Sequence, residues 1–216
     1  MSVFVPNTNG VYLGAAWTGS ATQDLTIMCW GQLGATNHGT YRNFVTADPN
    51  VMIQTGPDGL TFDLGTATTD SLGSLLAAAT WYHFAITIRN TSTTNRYLRG
   101  FINGLLNVNT ADVSTFVAYT SLTTGNDRAN TGWVLGGNVR DVRIWTRVLT
   151  PNEIVQEMRS PRPFNPAGLL VWSPFDVDQY TDQSGNGRIW TATGAGILTQ
   201  QGPLVAYPPR RSSRVG

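Results

Sequence analysis

Asp176, Asp178 and Asp182, followed by Asn186, place four oxygen-bearing side chains in one short stretch that ends in a glycine-rich loop. Calcium takes six to eight oxygen ligands, and closely spaced aspartates beside such a loop supply them, so these four are the candidate metal ligands. The same residue types also make Asx-turns and backbone hydrogen bonds, and both readings stay open at this point. A second group lies in two polar stretches far apart in the chain, His38 and Tyr41 in one, Asp127, Arg128 and Trp133 in the other. Aromatic faces stack on the C–H surface of sugar rings, and imidazole, carboxylate and guanidinium groups bond hydroxyls. These five are therefore the candidate carbohydrate-binding residues. Spacing alone does not bring the two stretches together.

Catalytic chemistry is poorly supplied. Retaining glycoside hydrolysis needs two carboxyl groups about 5 Å apart on one surface. The chain has only Glu153 and Glu157 as glutamates, four residues apart on an expected helix, where they are read as solvated helix charges. No apolar strand carries an acidic pair, and no catalytic residue is assigned. His38 and His83 are too isolated for a zinc site, and His83 is expected to be packed on a strand face and bonded to a neighbour. Cys29, the lone cysteine, sits in the apolar run LTIMCW as a buried small hydrophobe and excludes an intrachain disulfide.

The elements that must position these residues are mostly strands. The stretch WVLGGNVRDVRIWTRVLTPNEIVQEM, residues 133–158, gives the most local information. Val142 and Ile144 alternate with Asp141, Arg143 and Trp145, the period-2 pattern of a strand. Thr150 then stands at an N-cap position, Pro151 at the first helical position and Glu153 three residues after the cap, a capping box for one short helix near 151–159. Further strands are expected at Leu25–Trp30, Leu60–Leu64, Trp81–Ile88, Leu98–Ile102, Leu105–Val108, Leu169–Phe175 and Trp190–Leu198. Asn103-Gly104 is a type I′ hairpin signal. Residues 37–48 and 111–128 read as irregular polar connections. Short strands with turn chemistry between them and no βαβ rhythm give an all-β fold, an antiparallel two-sheet jelly-roll sandwich. Residues 1–202 form one such domain, and 203–216 an extended C-terminal tail.

Bulk properties narrow the function classes. Charged residues make up only 12% of the chain and the net charge is +1, which gives no electrostatic case for nucleic acid or an anionic membrane. All 14 basic residues are arginine. No apolar run approaches the roughly 18 residues of a membrane span. MSVFVPNTNG lacks a basic region and a long apolar stretch, so no signal peptide is expected; synthesis is in a cytoplasm, with any exit by a signal-independent route.

Several segments together resemble the laminin G-like branch of the concanavalin A-like lectin/glucanase superfamily. DLTIMCWGQL is similar to its early F-T-I-S-x-W strand, TWYHFAITI to W-x-H-V-A-x-T, and RGFINGLL to L-Y-V-N-G. GGNVRDVRIWTRVLTPNEI resembles its G-x-I-D-E-V-R-I-Y-N-R-A-L-T-x-x-E-I signature, and GLLVWSPFDV with DQSGNGRIW the segment that often follows. The likeness covers roughly residues 24 to 198. It implies a concanavalin A-like sandwich, a fold-making role for Trp30, Trp81 and Trp172, and a calcium ion at the rim as the one cofactor to consider. Arg140 replaces the signature's first acidic residue, which removes a paired-carboxylate site there.

The resulting expectation is a non-catalytic lectin-like protein exposed on a larger assembly. Relatives of this kind occur on phage particles, so the expected location is a virion surface, in a decorating or adhesive role. Pro208, Pro209, Arg210, Arg211 and Arg214 of the tail are the candidate contacts to other subunits, and a homo-oligomer is expected. Glycans are the expected small partners. A free-standing carbohydrate-binding module, extracellular by a signal-independent route, is the alternative, and glycoside hydrolysis ranks last.

Overall fold

The computed structural model describes residues 2–6, 12–34, 41–48, 51–56, 59–64, 68–71, 76–92, 95–112, 117–126, 133–175, 181–195 and 197–200. The strands of the first half are β1 (Ser2–Val5), β2 (Tyr12–Gly19), β3 (Leu25–Leu33), β4 (Arg42–Asp48), β5 (Val51–Gly56), β6 (Gly59–Leu64) and β7 (Thr68–Ser71). Next come β8 (Trp81–Asn90), β9 (Arg96–Ile102), β10 (Leu105–Asp112), β11 (Tyr119–Thr124) and β12 (Gly137–Trp145). After α1 (Pro151–Met158), the one helix among the described residues, follow β13 (Leu169–Ser173), β14 (Thr191–Thr193) and β15 (Leu198–Gln200).

Two antiparallel sheets form the expected sandwich. The eight-stranded sheet runs β10-β9-β8-β3-β12-β1-β15, with β13 also paired to β12, and the seven-stranded sheet runs β14-β2-β11-β4-β5-β6-β7. Alternate residues of both, among them Leu13, Trp17, Ile27, Phe44, Ile53, Phe84, Ile86, Leu122 and Ile144, interdigitate as one core. Sheet separation is set in part by aromatic rings seated on glycine. A Cβ at Gly100 of β9 would come within 2.3 Å of the Phe62 ring of β6, and one at Gly31 of β3 within 2.5 Å of Phe44 of β4. The Asn103-Gly104 turn has φ of 52° and 79°, as a type I′ hairpin requires, and joins β9 to β10.

The helix is built as its sequence indicates. Thr150 Oγ1 accepts from the Glu153 amide, and the Glu153 carboxylate accepts from the Thr150 amide. It packs on the outer face of the eight-stranded sheet, where Ile154 joins Met28, Ala85, Phe101, Trp145 and Leu149 in a second small core. Strand β12 is bulged between Arg140 and Arg143, and Asp141 takes a φ of 52° there, which an aspartate tolerates better than most residues. Arg143 uses its whole guanidinium beneath the helix: Nε and Nη2 donate to Asp141, Nη1 to the carbonyl and carboxylate of Glu157, and Nη2 also to the Ser160 carbonyl. Trp172 Nε1 donates to Asp141 as well.

Some sequence expectations change. Glu157 is not a solvated helix charge: it is buried and accepts from Arg143 and from the amides of Phe164 and Asn165, which compensate its desolvation. Residues 42–48 are not irregular but a fully buried strand, β4, and Val51–Gly56 is a second strand beside it. The polar stretch 111–128 contains the end of β10 and all of β11. The expected closing strand is two strands, β14 and β15, one in each sheet.

Candidate functional site

Outside the core, the seven-stranded sheet presents a polar face. Partners directly opposite in adjacent strands share a face, so Thr191, Gly14, Thr123, Thr46 and Met52 form one rank across β14, β2, β11, β4 and β5. Ala16, Ser121 and Asp48 form a second rank, and Asn43 opposite Gln54 a third. Thr46, Thr123, Asn43 and Gln54 turn away from the core yet are buried. Its side chains bond one another: Asn43 Nδ2 donates to Thr46 Oγ1 at 2.6 Å, and Ser121 Oγ to Asp48 Oδ2 at 3.2 Å. The Asn43 Oδ1 and Thr123 Oγ1 atoms are buried without a hydrogen-bond partner among the described residues. At the β14 side small residues leave a trough of about 220 Å³ between Tyr12, Gly14, Ala16, Ser121, Thr123 and Thr191.

One end of this face carries two of the expected carbohydrate-binding residues. The Tyr41 and Trp133 rings meet with centroids 4.8 Å apart and planes tilted by 36°, and both are half-buried. Tyr41 precedes β4 by one residue and lies over Gly56 at the end of β5, where an added Cβ would stand 2.9 Å from its ring. The backbone from Trp133 to Leu135 is tied down on both sides. The Asn43 amide donates to the Trp133 carbonyl, Arg42 Nη1 to the Leu135 carbonyl at 3.1 Å, and the Leu135 amide to Gly125 at 2.8 Å. Asn126, immediately before the second polar stretch, is buried, and neither of its amide atoms is paired among the described residues. Thus Tyr41 and Trp133 are brought together, while His38, Asp127 and Arg128 lie outside the described residues. Sequence reasoning missed Asn43, Thr123 and Asn126. The alternation of RNFVTAD could have found the first, but the polar composition around it hid the strand.

The candidate metal loop is only partly described. Asp182 Oδ1 accepts from the amides of Trp172 and Ser184, both at 2.9 Å, and Oδ2 from Ser184 Oγ at 2.7 Å, the pattern of a loop staple. Asn186 Nδ2 donates to the carbonyls of Leu169 and Leu170. These two residues alone fall far short of the six to eight oxygens of calcium, and Asp176 and Asp178 lie outside the described residues. Among the described residues no three of His, Cys, Asp and Glu converge. His83 is packed, edge-on to Trp30 with centroids 5.2 Å apart, but its buried Nδ1 has no hydrogen-bond partner among the described residues, contrary to the bond expected. Burial, helped by the Arg143 charge, pulls its imidazole down to about 3. Burial raises the Cys29 thiol far above its ordinary range, which makes it unreactive.

A laminin G-type family model, described as the concanavalin A-like lectin/glucanases superfamily, matches residues 6–155. The chain belongs to that superfamily. No curated protein matches it in sequence. Among solved structures, a proposed carbohydrate-binding protein from Bacteroides ovatus superposes with a TM-score of 0.64 at 16% identity, over 92% of this chain and 61% of its own. This superfamily member thus spans about three-fifths of that protein. A heptameric SAP-like pentraxin from Limulus polyphemus gives 0.61 at 15% identity, over 88% of this chain and 94% of its own. Domain 4 of a GH43 extracellular arabinanase from Geobacillus stearothermophilus, solved with arabinotriose, gives 0.52 at 18% identity, over 73% and 76%. At such identities these likenesses show the fold.

Proposed function

We propose that this protein is a non-catalytic glycan-binding module, using the outer face of its seven-stranded sheet with Tyr41 and Trp133 as the stacking platform. The observation that carries this reading is the 4.8 Å meeting of those two rings at one end of the polar outer face. Ring faces take up sugar C–H surface, and amide and hydroxyl groups supply directional bonds to sugar hydroxyls. The carbohydrate-related names of the Bacteroides ovatus and Geobacillus stearothermophilus proteins support the same class of ligand. Against catalysis stand the two glutamates. Glu153 is used in the capping box and in an ion pair with Arg147, Glu157 in the Arg143 cluster, and both sit on the far side of the sandwich. A glycan array with the purified protein should show a saccharide preference that is lost in Tyr41→Ala and Trp133→Ala. An array without any preference, or release of reducing sugar from a bound glycan, would overturn it.

The low charge of the chain and its arginine-bearing tail favour a second reading, in which the module is a surface subunit of a larger, self-associating assembly such as a phage particle. Deletion of residues 203–216 should then abolish incorporation into particles; unchanged incorporation would count against it. A calcium ion held by Asp176, Asp178, Asp182 and Asn186 belongs to the same proposal as a rim stabiliser.

A further inference from the structure

The outer face of the eight-stranded sheet holds a separate cavity. Beside the helix-covered region, β8 and β9 continue with Thr87 opposite Arg99 and Arg89 opposite Tyr97, on the same face as Ala85 and Phe101 of the second core. These four residues and Val148, which overhangs from the chain after β12, line a space of about 250 Å³. Arg89 and Arg99 are diagonal neighbours, a placement that brings side chains within roughly 7–8 Å at their bases and that long side chains easily span. Among the described residues neither takes part in an ion pair. The nearby Arg147 is different, since Glu153 pairs with it at 2.8 Å. Arg99 is also held in place, its Nε donating to Asn109 Oδ1 at 3.1 Å across to β10. Two like charges set side by side on one sheet face repel, and an anion between them reverses the sign of that interaction.

We propose that this cavity is a second binding site, for the carboxylate of an acidic saccharide such as a hexuronate. The planar guanidinium forks of Arg89 and Arg99 fit a carboxylate bidentately. Tyr97, 51% exposed, and the Val148 side chain supply the apolar surface against which a sugar ring lies. The volume suits one ring and no more. With a net charge of only +1, the protein has no general attraction for polyanions, so the recognition is local. The saccharide part of this assignment rests on the glycan-binding reading above; the anion part rests on the two arginines alone.

The test is NMR titration of the full-length 15N-labelled protein with methyl glucuronide, methyl glucoside and acetate. Methyl glucuronide should shift amide signals in β8 and β9, the neutral glucoside should not, and acetate should act far more weakly. The glucuronide shifts should disappear in Arg89→Gln/Arg99→Gln, whose exposed substitutions leave the fold intact, weaken in Tyr97→Ala, weaken with added salt, and persist in Tyr41→Ala. Equal response to the glucoside, equal response to acetate, or shifts that survive the double substitution would overturn the proposal. Loss of glucuronide binding in Tyr41→Ala with retention in the double variant would also sink it, while leaving the Tyr41–Trp133 platform standing. The converse, glucuronide binding at the arginines with no neutral glycan bound anywhere, would remove the platform and keep this site.

Discussion

Arg143 donates through Nη1 to Glu157 Oε2 at 2.8 Å, and neither side chain reaches solvent. The pair fastens the only helix among the described residues to strand β12, and the guanidinium also donates to Asp141 and to the Ser160 carbonyl. Removing one member leaves a buried charge uncompensated, which costs about 3–5 kcal/mol. Arg143→Met should therefore lower the urea midpoint severely, and Glu157→Gln should do so nearly as much, while the m-value stays unchanged. A midpoint within experimental error of the parent would show that the cluster relaxes to water.

The glycine seats between the sheets give a separate stability prediction. Gly100 lets the Phe62 ring of the opposite sheet lie against the β9 backbone, and a methyl group there would intrude to 2.3 Å. Both partners are buried, so the ring has nowhere to retreat without moving the sheets apart. Gly100→Ala should cost about 1–3 kcal/mol, in the range for overpacking a core. Thermal unfolding reads it directly. The paired change Gly100→Ala with Phe62→Leu should recover part of the loss.

These two features mark what sequence can and cannot express. The capping box at Thr150 and Glu153 and the turn at Asn103-Gly104 were legible because each is a local rule with its own residue types. The sandwich was legible because TWYHFAITI and its neighbours keep the alternation of strands over a core. Glu157 was not, since a glutamate four residues after Glu153 looks like any solvated helix charge until Arg143 is seen beneath it. Tyr41 and Trp133 were legible as residue types in polar stretches, but their meeting depends on the β11–β4 pairing, and β4 itself was hidden in polar sequence. Long-range register carries that information, and no short window contains it.

Gly56 positions the platform without belonging to it. Only a Cα hydrogen separates the β5 backbone from the Tyr41 ring, and an added Cβ there would stand 2.9 Å from Cε1. Gly56→Val should tilt Tyr41 away from Trp133 and weaken glycan binding about tenfold, the equivalent of one lost stacking contact near 1.4 kcal/mol. The measurement is the dissociation constant for the glycan selected by the array, with Tyr41→Ala as the reference loss. Binding that is unchanged in Gly56→Val and lost in Tyr41→Ala would mean that the ring adapts.

The two readings of the Asp182 loop separate on chelation. As a staple, Asp182 serves the Trp172 and Ser184 amides, and Asp182→Ala leaves those donors unpaired at a cost of about 1–3 kcal/mol. The loss of melting temperature should then be equal in calcium and in EGTA. A loss seen only in calcium, together with a calcium-dependent melting temperature of the parent protein, would assign the carboxylate to a metal.

His83 makes stability depend on pH. Burial first, and the Arg143 charge second, pull its folded-state imidazole down to about 3 from an ordinary 6.5. The unfolded chain therefore binds the proton that the folded chain refuses. Between those two values stability falls as the pH falls, by up to about 1.4 kcal/mol per pH unit, and it is fully restored above the unfolded value. Carboxylates also titrate at the acid end, so the informative window is pH 6.5 down to about 5, where ordinary Asp and Glu remain ionised. Urea midpoints across that window should drop for the parent protein and stay flat for His83→Gln, whatever the absolute stability of the variant. Parallel profiles would mean that the folded protein accepts the proton, by opening the Trp30 contact or by moving Arg143 away.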